Sequence, residues 1–213
     1  MRQIARRDDI RDLILDAVDI LLGKYGYKKM TMDDVARQVG IGKGTIYLHF
    51  PGKEELVLAH IDRIAERVVA GLRATAAASR PLGERLERML VQRVLFRLDG
   101  VLHYSENLSD LLSSVRTALL ARREVHFADE AKVFEEVLRE GALSGALDCP
   151  DPAATAQTLI RSTNSLLPFN LSARELGHRD DLGKTAARIA GLLVKGLSPR
   201  LAPAGGPKIS MEA

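Results

Sequence analysis

Residues 31–50 read Thr31-Met32-Asp33-Asp34-Val35-Ala36-Arg37-Gln38-Val39-Gly40-Ile41-Gly42-Lys43-Gly44-Thr45-Ile46-Tyr47-Leu48-His49-Phe50. Thr31 followed by Asp34 has the form of a capping box, with aspartate in place of glutamate, and opens a short helix. Val35, Ala36 and Val39 give that helix one apolar face. Gly40 closes it where a left-handed residue is needed, a conformation glycine reaches without a Cβ penalty. A second short piece runs from Lys43 to Phe50 and stops at Pro51-Gly52. Two short helices joined by Gly40-Ile41-Gly42 have the layout of a helix-turn-helix. Ala36 stands four residues before Gly40, where the two helices must approach closely and only a small side chain fits. Val35, Val39, Ile41 and Ile46 are the expected miniature core.

Outward from this segment the period stays helical. Upstream, Ile10, Leu13, Ile14, Ala17, Val18, Leu21 and Leu22 recur at three-and-four spacing, and Gly23 and Gly26 are expected to end that helix. Downstream, a long helix is expected from Lys53 to about Ala78. A fifth, from Leu82 to Leu98, is apolar on two sides and therefore sandwiched between neighbours. A short helical segment near Leu102 to Glu106 precedes a long helix from Leu108 to Glu140, stopped by Gly141. Asp151 then caps a helix with Pro152 in its first turn, carrying apolar residues as far as Leu167. A last helix spans Leu182 to Leu197. Pro199 to Ala213 is rich in proline, glycine and alanine and is expected to be a disordered tail.

Alanine, leucine, arginine and glutamate dominate, aromatics are only 4% and tryptophan is absent, so the expected class is all-α. The expected organisation is an N-terminal three-helix helix-turn-helix domain over 1–52, a larger helical effector-binding and dimerisation domain over 53–198, and the tail over 199–213. The single cysteine, Cys149, excludes an intrachain disulfide, a CxxC pair and a thiolate zinc cage. The five histidines have no metal-ligand spacing, and neither metal nor cofactor is expected. There is no nucleophile elbow, phosphate loop or dinucleotide fingerprint. Glu84, Glu87, Asp110, Asp129 and Glu130 read as charged faces of solvated helices rather than paired catalytic carboxylates, so an enzyme is not expected. No apolar run is long enough to span a bilayer. Asp8 and Asp9 stand where a signal peptide needs an apolar core. No membrane association and a cytoplasmic location follow as expectations. A net charge of +3 is too slight to announce nucleic-acid binding by itself, so that argument rests on local arrangement.

Thr31 to Phe50, continued by Pro51-Gly52-Lys53-Glu54-Glu55-Leu56, resembles the signature of the tetracycline-repressor (TetR) family of bacterial transcriptional regulators. The resemblance is close up to His60 and beyond that rests on length and helical layout. It implies an all-α homodimer that binds double-stranded operator DNA through its N-terminal domain. It also implies a small-molecule effector, held in the larger domain, that releases the DNA. The second helix of the pair would enter the major groove. On matching positions the DNA-contacting set is Lys43, Gly44, Thr45, Tyr47, His49 and Lys53, with Thr31 adding a hydroxyl or amide from the preceding helix start. Lys43 reaches a guanine edge or a phosphate; Tyr47 could instead pack by its ring, and His49 could cap its own helix. Some members carry a basic residue early in the helix before the turn. This chain has Asp33 and Asp34 there, which would repel phosphate and assign that helix a supporting role. Those acids and the low net charge are also the best support for the alternative, a helical small-molecule or protein binding module with a vestigial DNA-binding head.

In the larger domain, Arg93 and Arg97 fall on the same face as Leu86, Met89 and Leu90. Buried arginines need an anionic partner. That partner is either a structural carboxylate, such as Glu135 or Glu136, or a hydrophobic or amphipathic effector carrying an acid. The further candidates for an effector site are His103, Tyr104, Asn107, Arg116, His126 and Phe127. The cavity itself is expected between the helix from Lys53, the fifth helix and the helix ending near Glu140. The expected dimer surface combines Leu159, Ile160, Thr163, Leu166 and Leu167 with Ala186, Ile189, Ala190, Leu193 and Leu197 as a four-helix bundle across a two-fold axis. These faces could equally close the core of one chain.

Overall fold

The computed structural model describes residues 7–168 and 177–199. Among these there are helices and no strand, in the order α1 (Arg7–Lys29), α2 (Met32–Val39), α3 (Lys43–His49), α4 (Lys53–Ala76), α5 (Leu82–Asp99), α6 (Leu108–Leu143), α7 (Pro152–Ser162) and α8 (Arg179–Lys195). Two 3-10 turns, Leu102–Asn107 and Asn164–Leu166, join α5 to α6 and follow α7. The expected tail lies, from residue 200 onward, outside the described residues.

Local chemistry explains the boundaries. In α1, Ile14, Leu15, Ala17, Val18, Leu21 and Leu22 are buried. The helix continues through Gly23 and breaks at Gly26, whose φ of 70° is left-handed. Thr31 caps α2 by the reciprocal box with Asp34, and Gly40 ends it at φ 77°. α6 runs through Gly141 to Leu143. The glycine there serves close approach, because a Cβ would stand 2.3 Å from Leu147 Cδ1. The left-handed turn falls instead at Gly145, φ 69°. α7 begins as expected, with the Asp151 side chain accepting from Ala154 N and Pro152 in the first turn. It stops at Ser162 rather than reaching Leu167. Arg93 accounts for the difference: it donates to Thr163 Oγ1 at 2.6 Å and to Asn164 Oδ1 at 2.8 Å. The helix end is thus drawn into a 3-10 turn.

Two apolar clusters result. One unites α1, α2 and α3 with the first half of α4, the end of α5 and the start of α6, from Ile14, Val35 and Ile46 to Leu98 and Leu111. The other unites the second half of α4 with α5, the rest of α6, α7 and α8, from Val68 and Met89 to Phe134, Leu159 and Ala190. α4, about 36 Å long at 1.5 Å per residue, belongs to both. The core is therefore continuous across the expected boundary at residue 52. α5 is sandwiched as its two apolar sides require, between α4 and α8. A bidentate pair from Arg179 to Asp99, at 2.6 and 2.9 Å, pins the start of α8 to the end of α5.

Candidate functional site

α3 is held from beneath by Ile46 and Phe50, both buried, and its other side is open. Lys43, Gly44 and Tyr47 are exposed there, Tyr47 at 46%. A Cβ on Gly44 would meet nothing within 4 Å; neither packing nor a left-handed φ requires glycine at that position. Lys43 Nζ lies 2.7 Å from Asp33 Oδ2. That hydrogen bond, with the carboxylate's charge, holds the ammonium above the ordinary lysine pKa. Asp34 is occupied by the cap: it accepts from Thr31 N at 3.0 Å. The hydrogen bond with the Thr31 side chain is the largest cause of its lowered pKa. The two acids thus organise the helix-turn-helix rather than form a free anionic face. Thr45 and His49 are half-buried. Lys53 donates to the Lys28 carbonyl at 3.3 Å and stands 4.4 Å over the Tyr27 ring, and burial pushes its pKa down. It ties the last turn of α1 to the start of α4. The residue that sequence reasoning missed is Leu48, 75% exposed and four positions after Gly44 on the same helix.

Behind this face, a polar network joins α1 to α4 and to the 3-10 turn after α5. His60 is buried, with Nε2 3.2 Å from Asp19 Oδ1 and 3.3 Å from Tyr104 Oη. His103 Nε2 lies 3.1 Å from the Asp19 carbonyl, and Arg63 pairs with Asp16 at 2.8 Å. Of the candidate effector residues, His103 therefore contacts α1 and Tyr104 contacts His60 of α4. Arg116 is exposed on α6. His126 pairs with Asp62 at 2.9 Å. The Asn107 side chain lies outside the described residues.

Arg93, Arg97 and Phe127 do come together. Arg93 donates to Glu130 Oε2 at 2.6 Å, and Arg97 donates to Glu130 Oε1. Arg93, Arg97 and Glu130 are buried, and Phe127 is half-buried. The partner is thus Glu130, not Glu135 or Glu136, and Glu130 does not lie on a solvated face. Its position, three residues after Phe127 and four before Phe134, places it inside an apolar stripe, and that spacing was the available signal. Burial is the dominant influence on Arg93 and lowers its pKa. At Glu130 burial acts the other way, but two guanidiniums sharing one carboxylate outweigh it and hold the acid ionised. The Phe127 ring lies 5.2 Å from the Arg93 guanidinium, 5.7 Å from that of Arg97 and 5.7 Å from that of Arg123.

These side chains occupy part of the space where the cavity was expected. Where α4, α5 and α6 meet, one void has about 10 Å³, lined by Ile61, Ile64, Leu119 and Arg97 among others. A larger cavity of about 260 Å³ lies between α6 and α7, lined by Arg123, Phe127, Gln157, Ile160, Arg161 and Asn164 among others. The expected dimer residues fall into two groups by burial. Leu159, Ile160, Thr163, Leu167, Ala186 and Ala190 are buried within the single chain, because α7 packs on α6 and α8 on α5. Leu166, Ile189, Leu193 and Leu197 stay half-buried, and Leu192, 74% exposed, faces outward.

Residues 14–60 match the bacterial regulatory proteins of the tetR family. The chain is 28% identical over 156 residues to YhgD, an uncharacterised HTH-type transcriptional regulator of Bacillus subtilis, covering 72% of this chain and 80% of that one. It is 27% identical over 163 residues to the HTH-type transcriptional repressor KstR of Mycobacterium tuberculosis, covering 76% of this chain and 70% of that one. Several other curated HTH-type regulators align over less than half of their own length. The fold is similar to that of a TetR/AcrR-family regulator from Thermobifida fusca, with a TM-score of 0.61 at 23% identity, covering 88% of this chain and 98% of that one.

Proposed function

We propose that the chain is a DNA-binding transcriptional regulator of the tetR family of bacterial regulatory proteins, and that it is a cytoplasmic, homodimeric repressor released from its operator by a small hydrophobic or amphipathic effector. The observation that carries the reading is the open face of α3. Gly44 costs helix stability and has no internal reason to be glycine, which fits a backbone that must come close to a duplex. Around it, Lys43 reaches a guanine edge or phosphate and Tyr47 a phosphate. Leu48 offers an apolar tip suited to a thymine methyl. Thr31, Thr45, His49 and Lys53 support this surface, Thr31 as a cap and Lys53 as a tie.

On DNA, Lys43 would exchange Asp33 for the duplex. Two heads would read half-sites about 34–36 Å apart. To move occupancy from 99:1 to 1:99, the effector must prefer the released form by about 5.5 kcal/mol. Footprinting on the region upstream of the chain's own gene tests the reading. Tyr47→Ala should weaken all sequences alike, whereas Lys43→Ala should cost about 1–3 kcal/mol on the true site and relax one position. Both variants binding like wild type would leave a helical binding module with a vestigial head as the better reading.

A further inference from the structure

Arg93, Arg97 and Arg123 place three guanidiniums around one phenyl ring, and among the described residues the carboxylate that reaches this cluster is Glu130. Glu130 is shared between Arg93 and Arg97. Arg123 has its Nε buried and without a hydrogen-bond partner. A phenyl face is a weak substitute for an anion: it attracts a cation by its quadrupole but accepts no strong hydrogen bond. Phe127 and Arg123 also line both open spaces, the cavity of about 260 Å³ between α6 and α7 and the narrow void of about 10 Å³ against α4. Phe127 is thus the partition between an outer chamber with polar groups (Gln157, Arg161 and Asn164) and an inner one walled by Ile61, Ile64, Ala65 and Leu119.

Resting on the reading of the chain as a ligand-released regulator, we propose that Phe127 is a plug and that the effector is an amphipathic carboxylate that displaces it. The acid accepts from Arg123 and takes the place of the phenyl ring among the guanidiniums. The apolar tail takes the volume that the ring vacates, against the narrow void between Ile61, Ile64 and Leu119. Charge complementarity sets the class: a neutral molecule of the same shape, such as an alcohol, offers Arg123 an acceptor but no counter-charge, and a guanidinium–carboxylate hydrogen bond is the stronger one. Ile61 and Ile64 flank Arg63 and follow His60 on α4, the residues that hold α1. A tail seated there presses on the helix that positions the DNA head.

The test uses the full chain with decanoate and decanol, which share a tail and differ in the acid. Calorimetry should show saturable decanoate binding at least tenfold tighter than decanol. Arg123→Met should abolish that preference and Arg123→Lys should retain it, each variant first shown to melt as wild type does. Since the chain has no tryptophan, Phe127→Trp supplies a single reporter. Its emission should shift to the red as decanoate expels the ring. Decanoate and decanol binding alike, a preference that survives Arg123→Met, no saturable decanoate binding at millimolar concentration, or binding without an emission change each overturns the proposal. Operator binding by ligand-free wild type is measured separately. If that is intact while the acid preference is absent, the plug fails and the regulator reading stands; if it is absent, the regulator reading itself fails.

Discussion

His60 Nε2 on α4 lies 3.2 Å from Asp19 Oδ1 on α1, and this contact ties the helix shared by both apolar clusters to the helix that backs the DNA head. His60 lines neither chamber, so its role is in posture rather than in ligand contact. Tyr104 Oη, 3.3 Å from the same nitrogen, extends the tie to the 3-10 turn after α5. Its burial pushes the phenol far above the ordinary tyrosine pKa.

A pH dependence follows from Asp19. Burial acts to raise its pKa, but the hydrogen bond to His60 and the charges of His60, His103 and Arg63 together lower it below 3.8. A carboxylate with a depressed folded-state pKa contributes stability that is fully present above its unfolded value and is lost as pH falls through the folded one. Asp19→Asn should therefore be less stable than wild type in urea at neutral pH. The gap should hold constant down to about pH 3.8 and close below it. A gap that ignores pH across that range would show that the carboxylate charge does no work in the tie.

Gly44→Ala should separate folding from function by moving them in opposite directions. A Cβ there meets nothing within 4 Å, so the alanine variant should gain about 0.5–1 kcal/mol of stability from helix propensity. The same methyl would stand between α3 and the duplex. Operator affinity should fall about tenfold, a change of about 1.4 kcal/mol. Thermal melts and fluorescence anisotropy on one preparation give both numbers. A variant stabilised with unchanged affinity would place the DNA elsewhere.

Why these parts differed in legibility is a matter of range. The capping box of Thr31 and Asp34, the left-handed Gly40 and the cap at Asp151 are satisfied within a few residues, so the sequence carries them whole. Glu130 bonds to Arg93 across 37 residues. Choosing it over Glu135 and Glu136 needs the register of α6 against α5, which no local pattern supplies. The shape of the cavity was not legible because empty space depends on which side chain fills it, here Phe127 beside three guanidiniums. The faces of α7 and α8 are ambiguous for a similar reason: an apolar stripe looks the same whether α5 and α6 cover it or a second copy does. Leu48 escaped notice because an exposed leucine and a core leucine are one letter.

Glu130→Gln should be among the most damaging single changes in the chain. It leaves Arg93 and Arg97, both buried, without a counter-charge, and removing one partner of a buried pair costs about 3–5 kcal/mol. Glu135→Gln, on a half-buried carboxylate paired with Arg139 along the same helix, should cost about 0–1 kcal/mol. Denaturant midpoints of the two variants make the comparison. Equal, small losses would mean that the arginines find another anion within the fold.

The dimer surface can be tested on α8 by opposing an outward and an inward position. Leu192 is 74% exposed beside half-buried Ile189 and Leu193, whereas Ala186 is wholly buried against the chain's own core. If a second copy covers α8, Leu192→Glu removes about 1.5–3 kcal/mol of apolar burial per protomer and sets two carboxylates close to the two-fold axis. Light scattering at micromolar concentration should then give a dimer mass for wild type and a shift toward monomer for Leu192→Glu, with helical content unchanged. Operator affinity should fall in step, because a single head reads too few bases. Ala186→Leu should act differently, lowering the melting temperature by overpacking before it alters the mass. A Leu192→Glu protein that stays a dimer would move the interface off α8, and a monomeric wild type would remove it altogether.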